Sequence, residues 1–198
     1  MKKSKVNIKN LALTGLLTAI VAVLQYMAVF LRLNGLFSVS LVLVPIVIGA
    51  ALCGKRAGAW LGFVFSVMVF VTGDATLFLG INFWGTVVTV LLKGMLAGFL
   101  TALVYQLFAN KNRYVAVIVS AIVCPVVNTG IFLLGSRLFF YDTISQWALE
   151  KGQPVGVYML VGLVGLNFVF ELLVNVILAP VIVRLVDVGR KAMKGGSV

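Results

Sequence analysis

The sequence predicts an all-α membrane protein with six transmembrane helices and both termini in the cytoplasm. Hydrophobic residues make up 62% of the chain and charged residues only 11%, whereas soluble domains are about 45–50% apolar and about 25% charged. Several apolar runs approach the length of about 20 residues that crosses a bilayer as a helix. Basic residues cluster between alternate runs, so the net charge of +11 is better explained by orientation in a membrane than by nucleic-acid binding.

Spans 1 to 3 are separated by turn residues. The first apolar run (11–31) is longer than the apolar region of about 7–15 residues in a signal peptide, so we interpret it as the core of span 1. Gly35 marks the following loop, and span 2 contains Pro45 and ends at a short basic turn (54–56). Because spans 2 and 3 are short, we expect them to be tilted or shielded by neighbours. The predicted bounds are about 9–31, 38–54 and 57–72.

Spans 4 to 6 follow a loop of mixed polar and apolar residues. Span 4 carries one charged residue, Lys93, and ends at a second basic turn (110–113). Pro125 and Pro180 lie inside spans 5 and 6, where proline predicts a kink. The longest predicted loop (141–156) separates these two spans. The predicted bounds are about 82–109, 114–140 and 156–186.

The distribution of positive charge orients the six spans. Most of the 16 lysines and arginines lie at the N-terminus, in the two short turns and near the C-terminus. The positive-inside rule therefore predicts that these parts face the cytoplasm. The three longer loops then share the outer face, and because such loops often carry function, we expect a binding site that opens outward beneath them.

Polar residues inside the spans are the candidates for this site. Lys93 lies near the middle of span 4, where a lysine costs about 2.5–3.5 kcal/mol on insertion scales, so it should be paired, face a cavity or contact a ligand. Glu171 lies at a similar depth on span 6, and Asn128 lies on span 5. Asn167 and Asn175 share the helix face of Glu171. Two interpretations remain open: a Lys93–Glu171 ion pair that joins spans 4 and 6, or a cavity that binds a polar ligand.

Two further candidates for ligand contact lie near the outer boundary of span 4. These are Asn82 and Trp84, which could contribute to the pocket or to a lid above it. A tryptophan at a span boundary is also typical of an anchor at the membrane surface.

Pairs of small residues four positions apart occur on three spans. Such pairs allow two helices to approach closely. We expect two of the three to serve internal packing and the pair on span 1 to dock a partner. The pairs are Gly15 and Ala19, Gly58 and Gly62, and Gly94 and Gly98.

The sequence offers little for catalysis. It contains no histidine, which is the most common general base and a frequent metal ligand. It also contains no Walker A motif for nucleotide hydrolysis, and no paired carboxylates or nucleophile–base pair stand out. We therefore predict that the protein is not an enzyme and uses no metal ion or other cofactor.

Four segments share a pattern with one family of membrane proteins. They are LALTGLLTAIVAVLQ in span 1, FSVSLVLVPIVIGAALCGKRAGAWLGFVFSVMV in spans 2 and 3, PVVNTGIFLL in span 5 and LNFVFELLVNVILAPVI in span 6. With the chain length and the six spans, they resemble the substrate-binding (S) components of energy-coupling factor (ECF) transporters for vitamins. The resemblance covers nearly the whole chain.

This resemblance implies a multi-pass protein of the prokaryotic cell membrane that captures a micronutrient at its outer side. The implied partners are a membrane-embedded coupling (T) subunit and two cytoplasmic ATPases, which supply the energy. In the family, the docking motif on span 1 is typically Ala-x-x-x-Ala, and its positions match Gly15 and Ala19 here. The gate is the loop between spans 1 and 2, which contains Arg32, Asn34 and Gly35.

The resemblance places the ligand among spans 4 to 6 and the loop before span 4. Lys93, Asn128, Asn167 and Glu171 lie in this region. A buried lysine favours a vitamin with a carboxylate or phosphate, such as pantothenate, a folate or biotin. Riboflavin remains open, because a Lys93–Glu171 pair would leave the pocket neutral and asparagines suit the amide edge of a flavin.

Two other classes of function remain open. A stand-alone secondary carrier would use Glu171 as a proton site, although the two halves of the chain lack the visible repeat of many such carriers. A membrane scaffold without a ligand would use the Lys93–Glu171 pair only to hold its helices together. Liposome transport separates the first from an S component, because a carrier transports alone whereas an S component needs its partners and ATP.

Overall fold

A computed structural model of the protein describes residues 8–31 and 41–194. In this part of the chain the regular secondary structure is entirely helical. The helices are α1 (Ile8–Leu31), α2 (Leu43–Cys53), α3 (Lys55–Val71), α4 (Thr76–Ile81), α5 (Phe83–Ala109), α6 (Arg113–Phe139), α7 (Tyr141–Glu150), α8 (Val155–Val157), α9 (Gly165–Ile177) and α10 (Ala179–Lys194). A π-helical segment (Tyr158–Val164) connects α8 to α9.

Several of these helices are long and apolar enough to cross a membrane. Helices α5 and α6 qualify over their full lengths, and α1 qualifies over Ile8–Ala28. The pair Val155–Val164 and Asn167–Ile177 gives a further span if it is counted as one, although its two parts are bent by 52°. Helix α2 is a shorter apolar helix. The chain is therefore a helical multi-pass membrane protein, and the number of six spans remains a prediction.

Two of the three regions predicted as outer loops contain short helices. Helix α4 lies in the loop before span 4, and α7 lies in the loop before span 6. On α7, Ile144 and Ala148 are fully buried one turn apart, so one face of the helix packs onto the bundle. On α4, the Phe78 ring lies 5.0 Å from that of Phe140 and 6.4 Å from that of Trp147. These aromatic contacts hold α4 and α7 against the end of α6.

The region predicted as span 6 is divided into several segments. Gly165 has φ 42°, a left-handed conformation that glycine adopts far more readily than other residues. This residue ends the π-helical segment and begins α9. A second break lies at Leu178, which precedes Pro180 in the first turn of α10, where proline is well tolerated because no helical hydrogen bond is lost.

Helix α5 lies between α3 and α6. A Cβ atom on Gly62 would overlap the carbonyl oxygen of Gly94, and one on Gly58 would overlap that of Gly98. The two backbones are therefore in direct contact along what we call the glycine seam, formed by these four residues. Ser66 Oγ extends the seam by donating a hydrogen bond of 2.6 Å to the carbonyl oxygen of Val90. The prediction that the glycine pairs of spans 3 and 4 serve internal packing is confirmed.

The first and last described helices meet at one end of the bundle. Lys9 Nζ donates a hydrogen bond of 3.1 Å to the carbonyl oxygen of Met193. Arg113, at the start of α6, forms an ion pair of 3.6 Å with Asp187 of α10. The basic turns predicted to face the cytoplasm lie at this same end, which we call the basic end. Its orientation relative to the membrane remains a prediction.

Candidate functional site

A cavity of about 270 Å³ opens among α1, α3, α5, α6 and α9, toward the end opposite the basic end. Aromatic rings from α3, α4, α6 and the junction between α6 and α7 line it together with polar side chains. The aromatic lining residues are Phe65, Phe78, Phe132 and Phe140. The polar lining residues are Gln25, Asp74, Thr86, Thr89, Lys93, Asn128, Asn167 and Glu171. An apolar wall with a few converging polar groups is typical of a small-molecule site, and the volume lies near the lower limit of the usual range of about 300–1,000 Å³.

Lys93 reaches into this cavity between two aromatic rings. Its Nζ lies 5.7 Å from the ring centre of Phe65 and 5.4 Å from that of Phe132, distances at which a ring face attracts a cation. The negative charges of Glu171 and Asp74 act on Lys93, but no carboxylate in the described part of the chain forms a direct ion pair with it. The Lys93–Glu171 contact expected under the structural interpretation is therefore not formed. The ammonium group instead faces the cavity.

Three polar residues were predicted to share one face of span 6: Asn167, Glu171 and Asn175. Two of them lie at the cavity and one lies in the protein interior. Asn167 and Glu171 line the cavity, whereas Asn175 is fully buried and donates a hydrogen bond of 2.8 Å to the backbone oxygen of Glu171. The break at Gly165 places Asn167 within the first turn of α9, beside the cavity. Two of the three residues thus line the cavity, and the third bonds to the backbone of its own helix.

Asn128 contributes a buried amide to the cavity wall. Its side chain is 7% exposed. Its Oδ1 finds no hydrogen-bond partner among the residues that the structure describes. A buried polar atom without a partner carries a free-energy cost of about 1–3 kcal/mol, so a ligand that donates a hydrogen bond there would relieve it.

Gln25 and Asp74 line the cavity but were not among the predicted contacts. Gln25 Nε2 donates a hydrogen bond of 2.7 Å to Asp74 Oδ2, which joins α1 to the segment between α3 and α4. Gln25 is 3% exposed. The signal was present in the sequence, because Gln25 is an isolated polar residue inside an apolar run. The direction in which the Gln25 side chain points could not be predicted without knowing which helices pack against α1.

Asn82 and Trp84 lie outside the cavity lining. Asn82 Oδ1 accepts a hydrogen bond of 2.9 Å from the Gly85 backbone, so the side chain caps the N-terminus of α5. Trp84 is 74% exposed and packs edge-on against Phe83 with a ring distance of 5.3 Å.

The structure describes the residues predicted to dock a partner but not those predicted as the gate. Gly15 and Ala19 are exposed on the outer face of α1, and a Cβ atom on Gly15 would have no described atom within 4 Å. Arg32, Asn34 and Gly35, predicted as the gate, lie outside the described residues.

The site provides a cation, carboxylates, amides and hydroxyls around a space for a small molecule, within helices that cross a membrane. Its chemistry is that of binding, and among the described residues no group of histidine, cysteine and acidic side chains could hold a metal ion. These features define a membrane protein that binds a small polar ligand.

Comparison with known proteins identifies the family. The family described as "ECF transporter, substrate-specific component" matches residues 9–183. A similar protein is "Pantothenic acid transporter PanT" of Lactococcus lactis subsp. cremoris (strain MG1363), which is 30% identical over 200 residues, 92% of this chain and 95% of the relative. No solved structure matches the chain. The chain belongs to the family of substrate-specific components of ECF transporters, and it is thus a transport component and not an enzyme.

Proposed function

We propose that this protein is the high-affinity capture subunit of an ECF-type importer and that its ligand is pantothenate. The observation that carries the proposal is the position of Lys93, whose ammonium group faces a cavity lined by aromatic and polar side chains and forms no direct ion pair with a described residue. An unpaired buried cation is costly, so the site favours an anionic ligand. The 30% identity to a pantothenic acid transporter supports pantothenate among the anionic vitamins.

The size of the cavity supports the same choice. At about 270 Å³, it suits a short, flexible vitamin better than a folate or riboflavin, which carry fused ring systems. Biotin is small enough and also carries a carboxylate, so it is the nearest competitor. The similarity to the pantothenic acid transporter supports pantothenate over biotin.

The lining suggests how pantothenate would be held. Its carboxylate would contact Lys93 Nζ, which Phe65 and Phe132 keep in position through cation–π contacts. Its hydroxyl and amide groups would meet Asn128 and Asn167, and Asn128 Oδ1 offers an acceptor that no described residue uses. The Lys93 ammonium group and Asn128 Oδ1 would then each have a direct partner, as buried polar groups usually do.

Of the other predicted contacts, we assign Asn82 and Trp84 to supporting roles. The Asn82 side chain is occupied by its hydrogen bond to Gly85, and Trp84 is exposed where it would suit an anchor at the membrane surface. Glu171 remains within the proposed site beside Lys93.

The proposal includes the partners and orientation of the family. We propose that Gly15 and Ala19 dock the T subunit, that two cytoplasmic ATPases supply the energy, and that the basic end faces the cytoplasm. The exposure of the two small residues supports docking, and the grouping of basic residues supports the orientation. The loop containing Arg32, Asn34 and Gly35 would act as the gate over the cavity.

The test is binding of pantothenate by the purified protein in mild detergent. We expect native mass spectrometry to show one pantothenate per chain and calorimetry to show tight binding. Replacing Lys93 by Met should weaken the affinity for pantothenate more than tenfold, which corresponds to a loss of about 1.4 kcal/mol or more, because the carboxylate loses its cation. Pantothenyl alcohol, which lacks the carboxylate, should bind more weakly and lose little further affinity in Lys93→Met.

Lys151→Met is the matched control, because Lys151 is exposed beyond α7 and outside the cavity. This variant should bind pantothenate like the original protein. Unchanged pantothenate affinity in Lys93→Met would remove Lys93 from the site. Tight binding of biotin, with no binding of pantothenate, would keep the capture function and change the ligand.

A stand-alone secondary carrier is the alternative function. The observation in its favour is that Glu171 lines the cavity beside Lys93, as a proton site would. Liposomes that contain only this protein distinguish the two. Accumulation of pantothenate without partner subunits or ATP would favour the carrier, and its absence despite tight binding would favour the capture subunit.

A further inference from the structure

The charges that line the cavity do not balance in the presence of an anionic ligand. Lys93 contributes one positive charge, and two carboxylic acids, Glu171 and Asp74, share the lining with it. Asp74 has further partners, whereas a carboxylate ligand would compete with Glu171 for Lys93, the one cation that lines the cavity among the described residues. Buried charges without compensation are strongly unfavourable, and such sites usually change their protonation instead.

The two carboxyl groups differ in their contacts. Asp74 has Gln25 Nε2 as a donor at 2.7 Å from Oδ2. In contrast, the side chain of Glu171 forms no hydrogen bond or direct ion pair with a described residue. Its main source of stabilisation is the positive charge of Lys93.

The other groups around Glu171 cannot replace that stabilisation. From α5 it faces Lys93, and Lys93 also feels the charge of Asp74 from the α3–α4 segment. From α6 the neighbouring titratable group is the buried thiol of Cys124. When a ligand carboxylate approaches Lys93, Glu171 loses part of its interaction with the one cation that the described part of the chain places near it.

We propose that the site binds its anionic ligand together with one proton, and that the Glu171 carboxylate takes up this proton. The proposal rests on the proposed function, because only an anionic ligand creates the imbalance. The proton comes from solvent and forms an O–H bond at the Glu171 carboxylate, while no bond of the ligand changes. The resulting carboxylic acid can also donate a hydrogen bond to the ligand.

Proton uptake fixes the direction of the pH dependence. The complex holds one more proton than the free protein and free ligand, so affinity for pantothenate falls as pH rises. The fall approaches about tenfold per pH unit where Glu171 is ionised in the free protein. Pantothenyl alcohol brings no charge to Lys93, so its affinity changes much less over the same pH range.

Calorimetry on the full-length protein in detergent tests the proposal. Pantothenate is titrated at one neutral or slightly alkaline pH in phosphate and in Tris, whose ionisation enthalpies differ strongly. The difference in observed binding enthalpy gives the number of protons exchanged. We expect close to one proton taken up per pantothenate, almost none for pantothenyl alcohol, and almost none for pantothenate binding to Glu171→Gln.

Glu150→Gln is the matched control, because Glu150 is exposed at the end of α7. It should take up a proton as the original protein does. Tight pantothenate binding without proton exchange would overturn this inference and leave the proposed function standing. Proton uptake that persists in Glu171→Gln would overturn the assignment to Glu171, and absence of binding by the original protein would overturn both proposals. If Glu171→Gln does not fold, the comparison of pantothenate with pantothenyl alcohol on the original protein still tests whether the anionic ligand binds together with a proton.

Discussion

The glycine seam between α3 and α5 and the small-residue pair on α1 have the same spacing in the sequence but opposite environments. In the seam, Gly62 and Gly94 bring two backbones into direct contact. On α1, Gly15 and Ala19 are exposed, and a Cβ atom on Gly15 would have nothing within 4 Å. The spacing of small residues therefore indicates that another helix can approach closely. It does not indicate whether that helix belongs to the same chain.

The physical reason is that lipid provides little hydrophobic drive for association between helices. Close backbone packing and hydrogen bonds between helices take its place. The glycine seam has both, because Ser66 donates to the Val90 carbonyl across it. Helix α1 turns Leu17 and Val21 inward, where both are buried, and leaves its small residues facing outward. A pair of small residues that the described part of the chain leaves uncovered is suited to contact with a second protein.

The strongest test of this contrast is Gly62→Leu. Its Cβ would overlap the Gly94 backbone, which cannot move without separating α3 from α5. We therefore expect loss of a folded, monodisperse protein, measured by size-exclusion chromatography and thermal unfolding in detergent. The matched control is Gly15→Leu, which makes the same change in the interior of a helix and should keep the fold. A Gly62→Leu protein with an unchanged melting temperature would contradict a tight seam.

The second test is the double variant Gly15→Leu, Ala19→Leu. We expect normal thermal stability and normal pantothenate affinity, because neither side chain contacts the rest of the described chain or the cavity. Uptake by the complete transporter should be abolished, because two leucines would hold a partner helix away. Vitamin uptake into cells or proteoliposomes with all subunits measures this. Normal uptake would show that the docking surface lies elsewhere.

Much of the fold and part of the site could be predicted from residue types and their spacing. A lysine and a glutamate within apolar runs are costly in a membrane unless they serve a purpose, which is why Lys93 and Glu171 stood out. Both line the cavity with Asn128 and Asn167. Their position at a cavity could be predicted because burial in the membrane restricts where polar side chains can point, and their contact with a ligand stays a prediction.

Other features depended on contacts that spacing does not reveal. Gln25 and Asp74 are distant in sequence, and their hydrogen bond exists only because α1 packs beside α3. Helices α4 and α7 are short, and aromatic contacts such as Phe78 with Phe140 stabilise them. The break at Gly165 requires its positive φ value, whereas a glycine within an apolar run is equally common in a straight helix that crosses a membrane.

The smallest expected effect concerns the polar contact of the seam. In Ser66→Ala, the hydroxyl that donates to the Val90 carbonyl is lost, while the glycine contacts remain. We expect a decrease of about 1 kcal/mol in the free energy of unfolding, visible as a modest shift of the melting temperature in detergent. Ser145→Ala is the control, because Ser145 Oγ donates an exposed hydrogen bond of 2.8 Å to the Asp142 carbonyl within α7. If both variants lost equal stability, the seam hydroxyl would have no special role and backbone packing alone would distinguish the seam from α1.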